Sequence, residues 1–305
     1  MVSGIPSVNA LALVLGLIAW PVAALAEQRT LDWQDLPRGY AIVRPDGGGQ
    51  PQDLVVVLHG AGGSGDAALT RQGWAELAAT AGFIAVAPDA LPPDITRPPS
   101  FRDNPRYWND GGERTPPAKA WVDDVGFLAR LIGTLKTQSA VNRVFMTGFS
   151  SGAAMAIRFA AQRPDLLTAV AAVAGHPTPV PQPSGTPPSL LYATGTRDQL
   201  NPIAGGQVHI AVWSARFAKA APITVPEAWA QALACAGTTD TRPGDGVRLI
   251  AWQDCRGGAQ VRYYELIGLG HHWPGAPAEL PESMAGPFVP SVDGLELIWS
   301  FFNAR

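Results

Sequence analysis

Three side chains that can act together in acyl transfer lie far apart in the 305-residue sequence. Ser150 is the centre of a Gly148-x-Ser-x-Gly152 pattern, Asp198 follows one apolar run, and His271 follows another. In serine hydrolases a serine oxygen attacks a carbonyl carbon, a histidine carries the proton, and a carboxylate orients the imidazole. Serine, acid, histidine is one of the chain orders in which this set occurs. These residues therefore predict nucleophilic cleavage of an ester, with Ser150, Asp198 and His271 as the catalytic residues.

The residues around Ser150 predict a sharp turn from a strand into a helix. An apolar run precedes the serine, and a run of small residues suited to a helix follows it. In such a turn the nucleophile adopts a strained conformation that exposes its oxygen, and the glycines leave room where strand and helix meet. The N–H groups of Ser151 and of Ala61, in the loop 59–62, are the predicted oxyanion hole. For the motif alone, a plain Gly/Ser turn without catalytic function is the alternative.

The elements that must position these groups are predicted from alternating apolar and amphipathic segments. Apolar runs rich in β-branched residues, such as 53–58, indicate strands buried on both faces, and apolar residues at helical spacing indicate helices between them. This alternation is typical of a mostly parallel sheet with helices on both faces, and it predicts the α/β-hydrolase fold. Each candidate catalytic residue follows a strand, at the edge where such sheets collect their chemistry. The predicted strands are 40–43, 53–58, 83–87, 143–147, 167–174, 189–195 and 261–267, and the predicted helices are 72–81, 120–135, 152–162 and 292–302.

Other polar side chains offer alternatives to these assignments. Asp89 also follows a predicted strand, but it precedes Ser150 and so breaks the expected order. A simple turn aspartate is the alternative role for Asp198. His59 is expected to order its own loop by hydrogen bonding rather than to act as a base. His176, which precedes a proline, is expected in a pocket or at the surface.

The composition and net charge of the chain limit the kinds of molecule that it is expected to bind. The chain carries 22 Lys and Arg against 25 Asp and Glu, and this net charge of −3 is too small to indicate a nucleic acid or an anionic membrane as partner. His271 and His272 are adjacent, without the spacing or carboxylate partners of a zinc site, so no metal and no cofactor is predicted. Only one of the two adjacent rings can face Ser150. The predicted partner is an ester substrate, and the chain is expected to be a monomer.

The sequence predicts a secretory signal peptide at residues 1–26 and a single catalytic domain at residues 27–305. Residues 10–20 form an apolar core, Pro21 ends it, and Ala24 and Ala26 give a small-x-small cleavage site. No lysine or arginine precedes the core, so an uncleaved membrane anchor is the alternative, although the core is short for a span of about 20 residues. The expected location is secreted or periplasmic, with no membrane contact after cleavage.

Cys235 and Cys255 are the two cysteines of the chain. In an exported protein they are expected to form a disulfide. Closing a loop of about twenty residues would stabilise the fold by roughly 3 kcal/mol. A thiol site is the alternative, although no Cys-x-x-Cys motif or Cys/His cluster accompanies the pair.

Several short segments accompany the Ser150 turn in a characteristic order. They are residues 58–60, 108–110, 122–128, 195–198 and 268–275. Together they resemble the secreted polyhydroxybutyrate depolymerase-like esterases, a group that also includes feruloyl and acetyl-xylan esterases. The Gly-x-Gly-His-x-Trp-Pro-Gly ending of that family implies that His271 is the catalytic histidine and that His272 occupies a variable position. The cysteine pair ahead of this ending also matches the family.

The resemblance implies a secreted serine esterase that acts on hydroxyalkanoate oligomers or small esters. Feruloyl or acetyl-xylan ester hydrolysis is the main alternative. A serine peptidase of the same fold and an inactive secreted binding protein are more distant alternatives, and the intact Ser150, Asp198 and His271 argue against the inactive protein. No appended substrate-binding domain is evident, which favours soluble oligomers or small esters over crystalline polyester. Ser151 stands where many members of the family have asparagine.

Tyr107, Trp108 and Trp273 are predicted to bind substrate, because they lie in or beside loops expected at the active-site edge. Residues 92–117 form a long excursion rich in Pro, Arg, Asn and Gly, and excursions of this length are often functional. The alternative is that the three aromatic rings pack the loops, since large aromatic side chains are commonly buried.

Overall fold

A ten-stranded sheet is the centre of the described part of the chain. The computed structural model describes residues 26–45, 49–112, 121–290 and 292–305. Its strands are β1 (Glu27–Trp33), β2 (Leu36–Val43), β3 (Gln52–Leu58), β4 (Ile84–Pro88), β5 (Val141–Phe149), β6 (Ala169–Val173), β7 (Ser189–Gly195), β8 (Gly206–Ile210), β9 (Ala215–Lys219), β10 (Gly237–Gly244), β11 (Val247–Gln253) and β12 (Val261–Leu266). Its α-helices are α1 (Gly65–Arg71), α2 (Trp74–Ala81), α3 (Asp124–Gln138), α4 (Ser151–Gln162), α5 (Thr224–Ala232), α6 (Glu282–Ala285) and α7 (Gly294–Asn303).

The strands of the large sheet run in the order β1-β2-β4-β3-β5-β6-β7-β12-β11-β10. The six consecutive strands β4, β3, β5, β6, β7 and β12 are all parallel to one another. Strands β1 and β2 at one edge, and β11 and β10 at the other, add antiparallel pairs. Strands β8 and β9 form a separate hairpin. The observed architecture confirms the predicted mostly parallel α/β fold.

Strand β3 illustrates how the two faces of the sheet are covered. Leu54, Val56 and Leu58 belong to a cluster that includes residues of α3, α4 and α5. Val55 and Val57 belong to a second cluster, with residues of α1, α2 and α7. All five side chains are fully buried. A central strand with an apolar layer on each side requires a continuous apolar run, which explains why the sequence pattern identifies it.

The two edge strands of the large sheet are not predicted by the sequence pattern. Strand β1 is mostly exposed or half-buried, and β10 is almost entirely exposed, so neither carries a continuous apolar run. Strands β8, β9 and β11 and the helices α1, α5 and α6 are likewise absent from the predicted elements. The helix predicted at 120–135 is α3, which begins at Asp124. Asp123 lies just outside it, because its carboxylate accepts the N–H of Gly126 at 2.8 Å and caps the helix.

Several predicted features lie outside the described residues. They include residues 1–25 of the signal peptide, residues 113–117 of the long excursion, and Ala120 at the predicted start of α3. None of the helices in the described ranges has the length and hydropathy of a membrane-spanning segment.

Cys235 and Cys255 form the predicted disulfide. The bond joins the segment between α5 and β10 to the end of β11, across a sequence separation of 20 residues. It therefore ties the antiparallel edge of the sheet to the helix that covers its neighbours, β7 and β12.

A buried ion pair between Arg38 and Asp124 connects the sheet to a helix and a loop. Arg38 is in β2, and its Nη2 donates to Asp124 Oδ1 at 2.7 Å, with side-chain exposures of 1% and 0%. The guanidinium carbon lies 3.9 Å from the centre of the Phe127 ring. The second carboxylate oxygen of Asp124 accepts the backbone N–H of Asn109 at 2.7 Å. One pair thus holds β2, α3 and the segment before residue 113 together.

We expect Asp124→Asn to lower the free energy of unfolding by about 3–5 kcal/mol, because it leaves the Arg38 charge buried without a counter-ion. Urea denaturation of the purified protein measures this change. The control is Asp165→Asn, which removes one partner of the Arg163–Asp165 pair, with exposures of 38% and 60%. An exposed pair contributes less than about 1 kcal/mol. Equal losses in the two variants would mean that the buried pair does not stabilise the fold as described.

Candidate active site

Ser150 lies directly after β5 and directly before α4, in a strained backbone conformation. Its φ is 54° and its ψ is −116°, a region that residues with a side chain rarely adopt. Its N–H donates to the carbonyl of Val173, at the end of β6, at 2.9 Å. The strain is held by the strands on either side, and this geometry is that of the predicted strand-to-helix turn.

The turn is packed so closely that two neighbouring positions have no room for a Cβ. A Cβ on Gly152 would lie 2.2 Å from the carbonyl oxygen of Leu58, at the end of β3. A Cβ on Gly175, after β6, would lie 1.9 Å from the carbonyl oxygen of Ser150. Both contacts are with backbone atoms, which cannot rotate away as a side chain could. This confirms the close approach predicted around the Gly-x-Ser-x-Gly pattern.

The side chains of Ser150, His271 and Asp198 form one hydrogen-bonded chain. Ser150 Oγ lies 2.9 Å from His271 Nε2, and His271 Nδ1 lies 3.0 and 2.9 Å from the two carboxylate oxygens of Asp198. An ionised carboxylate only accepts, so Nδ1–H donates to Asp198 and Nε2 is left to accept the serine proton. Asp198 and His271 are each 4% exposed, so water does not compete strongly for these bonds. The structure brings the three predicted side chains together.

The Asp198 carboxylate is fixed by its own turn after β7. Its Oδ1 accepts the N–H of Leu200 at 2.8 Å and the N–H of Asn201 at 2.7 Å. The fully buried Asn201 side chain donates to Tyr192 Oη at 3.1 Å and accepts a hydrogen bond from Lys219 Nζ. Asn201 is absent from the predicted site residues, and the only signal for it is its position three residues after Asp198. Its contacts anchor the turn that carries the acid.

The two adjacent histidines after β12 have different partners. The backbone N–H of His271 donates to the carbonyl of Ala285 at 2.6 Å, which holds the residue against α6. The His272 ring instead contacts the backbone of Gly286, with Nε2 3.0 Å from the carbonyl oxygen. His271, not His272, therefore contacts Ser150.

The N–H groups of Ala61 and Ser151 are available beside Ser150. Both residues line the same cleft as the serine. The next two N–H groups of the Ala61 loop are used internally, since Gly62 donates to Arg106 and Gly63 donates to Gly60. Outside the helices and strands, no backbone carbonyl of the described residues accepts the N–H of Ala61 or of Ser151. This arrangement suits a pair of donors for an oxyanion.

His59 and Asp89 have structural partners of their own. The His59 ring is 2% exposed, with Nδ1 2.7 Å from the Gly60 carbonyl and Nε2 accepting the Ala90 N–H at 3.0 Å. Burial lowers the pKa of His59, and an Nε2 that accepts a backbone N–H belongs to a neutral ring. Asp89 accepts the N–H of Gly65 at 2.7 Å and pairs with Arg106 at 3.2 Å. His59 orders its loop as predicted, and Asp89 contributes to the fold away from His271.

The cleft over Ser150 has a volume of about 250 Å³. Tyr107 and Trp273 line it, as the substrate-binding prediction requires, but Trp108 does not. Trp108 is fully buried, and its Nε1 donates to the carbonyl of His59 at 2.9 Å, so its ring packs the loop rather than facing the cleft. Phe101 and Trp213 also line the cleft, and they are absent from the sequence prediction.

His176 also differs from its prediction, because it lies neither at the surface nor in the cleft. It is fully buried, with Nδ1 2.8 Å from Tyr192 Oη. Across the described residues, no group of three or more His, Cys, Asp or Glu side chains is arranged to hold a metal ion.

Comparison with known proteins finds a protein of similar sequence and solved structures with a similar fold. The chain is 30% identical over 239 residues to a protein of Nocardia uniformis subsp. tsuyamanensis named "Putative esterase NocK", a match that covers 73% of this chain and 65% of the relative. The match thus spans less than two thirds of the relative's length.

Two solved structures share the fold. An acetyl xylan esterase from Aspergillus awamori superimposes with a TM-score of 0.54 at 17% identity, covering 77% of this chain and 89% of that one. The esterase PE8 superimposes with a TM-score of 0.50 at 18% identity, covering 86% and 96%. At these identities the likeness establishes the fold, which is that of the α/β-hydrolases. Residues 39–209, more than half of the sequence, match the dienelactone hydrolase family, and the chain therefore belongs to that family.

Proposed function

We propose that this protein is a serine carboxylic-ester hydrolase that works through an acyl-enzyme. The observation that carries the proposal is the hydrogen-bonded chain from Ser150 through His271 to Asp198, with the serine held at φ 54° beside the cleft. The family and the name of the Nocardia relative agree with hydrolysis of an ester. Serine nucleophiles at this kind of turn are typical of esterases and lipases of the fold.

In the proposed reaction, Ser150 Oγ attacks the ester carbonyl carbon while His271 Nε2 takes the serine proton. The carbonyl oxygen becomes an oxyanion, which the N–H groups of Ala61 and Ser151 stabilise. Removing one such donor typically costs about 3 kcal/mol of transition-state stabilisation. His271 then returns the proton to the leaving alcohol, and water releases the acid by the same steps. Asp198 keeps Nδ1 protonated and stabilises the imidazolium form.

For the substrate, we propose hydroxyalkanoate oligomers or small esters, in the manner of the polyhydroxybutyrate depolymerase-like esterases. The support is the set of matching motifs, above all residues 268–275 with His271 at the catalytic position. Feruloyl or acetyl-xylan esters are the second candidate, because the rings of Tyr107 and Trp273 line the cleft and could stack on a planar or sugar group. We further propose that residues 27–305 act after export, which the Cys235–Cys255 disulfide supports.

The first test is a turnover panel with the purified protein and its Ser150→Ala variant. The panel holds p-nitrophenyl acetate, p-nitrophenyl butyrate, methyl ferulate, acetylated xylan and 3-hydroxybutyrate oligomers. We expect Ser150→Ala to lower kcat by about 10⁴-fold or more, because it removes the nucleophile, while the melting temperature stays within a few degrees.

The distribution of rates in the panel decides the substrate class. Hydrolysis concentrated on the hydroxybutyrate oligomers supports the depolymerase-like assignment, and preference for ferulate or acetyl-xylan moves the protein to the second candidate. Retained turnover in Ser150→Ala would show that another group is the nucleophile. If no ester is hydrolysed above that control, a peptidase or a binding protein becomes the better assignment.

The neighbouring histidines provide a matched pair of variants. We expect His271→Ala to lower kcat by on the order of 10⁴-fold, because the serine loses its proton acceptor. His272→Ala should change kcat much less, since its Nε2 contacts the Gly286 carbonyl and not Ser150. Steady-state kinetics on p-nitrophenyl butyrate, with melting temperatures as a check on folding, distinguish the two. A larger loss in His272→Ala would mean that the catalytic histidine is the other neighbour.

A further inference from the structure

We propose that Phe101 and Trp213 form an aromatic clasp over the cleft, and that the clasp selects uncharged esters whose apolar group is larger than acetyl. This inference rests on the proposed esterase function and narrows its substrate class: acetyl esters fall outside it, and hydroxyalkanoate oligomers fall inside it only when their terminal carboxylate stays out of the cleft.

The clasp is made by two segments that are distant in sequence. Trp213 lies in the short turn between β8 and β9, and Phe101 lies in the loop after β4. Trp213 Nε1 donates to the backbone carbonyl of Phe101 at 2.8 Å, and the two ring centres are 5.4 Å apart. The β8–β9 hairpin forms a sheet of its own, apart from the large sheet. The hydrogen bond therefore links the hairpin to the wall of the cleft.

The Phe101 ring also rests on the loop that carries Ala61. Gly62 adopts φ +77°, and a Cβ there would lie 2.5 Å from Phe101 Cδ2. The ring thus covers the residue next to one of the two proposed oxyanion donors. The clasp therefore lies beside the position at which the Ala61 N–H would hold a carbonyl oxygen.

The remaining wall of the cleft is mainly apolar. Leu200, Ile210, Phe217 and Leu280 line it together with the clasp. Phe101 is 40% exposed although its ring faces the cleft, so it presents apolar surface that a bound acyl or alkyl group can cover. Burying one methylene there is worth roughly a fourfold gain in kcat/KM. An acetyl group has no methylene to bury there.

The charges of the cleft argue against an anionic substrate. Among the described residues that line it, Arg71 and Glu279 are the only Lys, Arg, Asp or Glu side chains. They pair with each other at 3.0 Å and lie at the exposed rim, with exposures of 62% and 53%. A carboxylate inside the cleft would lose its hydration without meeting an unpaired Lys or Arg side chain of the described lining. An uncharged ester has no such penalty.

The test measures kcat/KM for p-nitrophenyl acetate, butyrate and octanoate with the wild-type protein, Trp213→Ala, Phe101→Ala and Trp121→Ala. Trp121 is 52% exposed and does not line the cleft, so its variant is the matched control. We expect the wild type to prefer butyrate over acetate by about fifteenfold, because butyrate has two more methylenes to bury. Each clasp variant should lose about tenfold on butyrate and octanoate and no more than about threefold on acetate. Trp121→Ala should keep the wild-type values.

A second comparison tests the charge preference. The wild-type protein is given dimethyl adipate, which is uncharged, and monomethyl adipate, which carries a carboxylate on the same chain. We expect the neutral diester to be hydrolysed with at least about tenfold higher kcat/KM. Equal values for the two esters would overturn the selection for uncharged substrates.

The outcomes separate this inference from the proposed function. Equal losses on acetate and butyrate in both clasp variants would mean that the two rings only support the fold. Trp213→Phe keeps an aromatic ring but removes the Nε1–H, so it should preserve more of the chain-length preference than Trp213→Ala. If the wild type hydrolyses esters without a chain-length preference, the clasp inference fails and the esterase assignment stands. If no ester is turned over above Ser150→Ala, both fail.

Discussion

The structure depends most on the close approach of backbone segments at the nucleophile turn. The chain turns from β5 into α4 at Ser150, while the ends of β3 and β6 press against it from both sides. Gly152 faces the Leu58 carbonyl and Gly175 faces the Ser150 carbonyl, with no space for a methyl group at either position. This packing holds Ser150 at a positive φ that it would not adopt alone. The strain is therefore maintained by the sheet and not by the turn itself.

A buried ion pair and several hydrogen bonds also hold the loops and turns around Ser150 in place. The Arg38–Asp124 pair reaches from the sheet through α3 to the segment that carries Trp108, which in turn donates to the loop of His59. On the other side, the turn of Asp198 is anchored through Asn201. Buried groups of this kind are expensive to leave unpaired. The loop of His59 and the turn of Asp198 are thus both held by buried polar groups that would be costly to leave unpaired.

The rim of the cleft is built differently from its base. Ser150, Asp198 and His271 follow strands of the parallel sheet, where neighbouring strands limit their movement. Phe101 and Trp213 belong to surface segments and remain partly exposed. Loops carried on a rigid scaffold commonly determine specificity because they can vary without disturbing the core. The proposed chemistry and the proposed substrate preference therefore come from separate parts of the fold.

The sequence by itself determined the central strands, the turn at Ser150 and the order of the candidate catalytic residues. These features follow from local patterns, because a strand buried on both faces must be continuously apolar and the tight turn must be flanked by glycine. The exposed strands β1 and β10 carry no such pattern. Only the tertiary structure decided that Trp108 packs inside while Trp213 reaches the cleft, since both positions depend on segments far away in the chain. The contact between His271 and Ser150 likewise exists because parallel strands bring their carboxyl ends to one edge of the sheet.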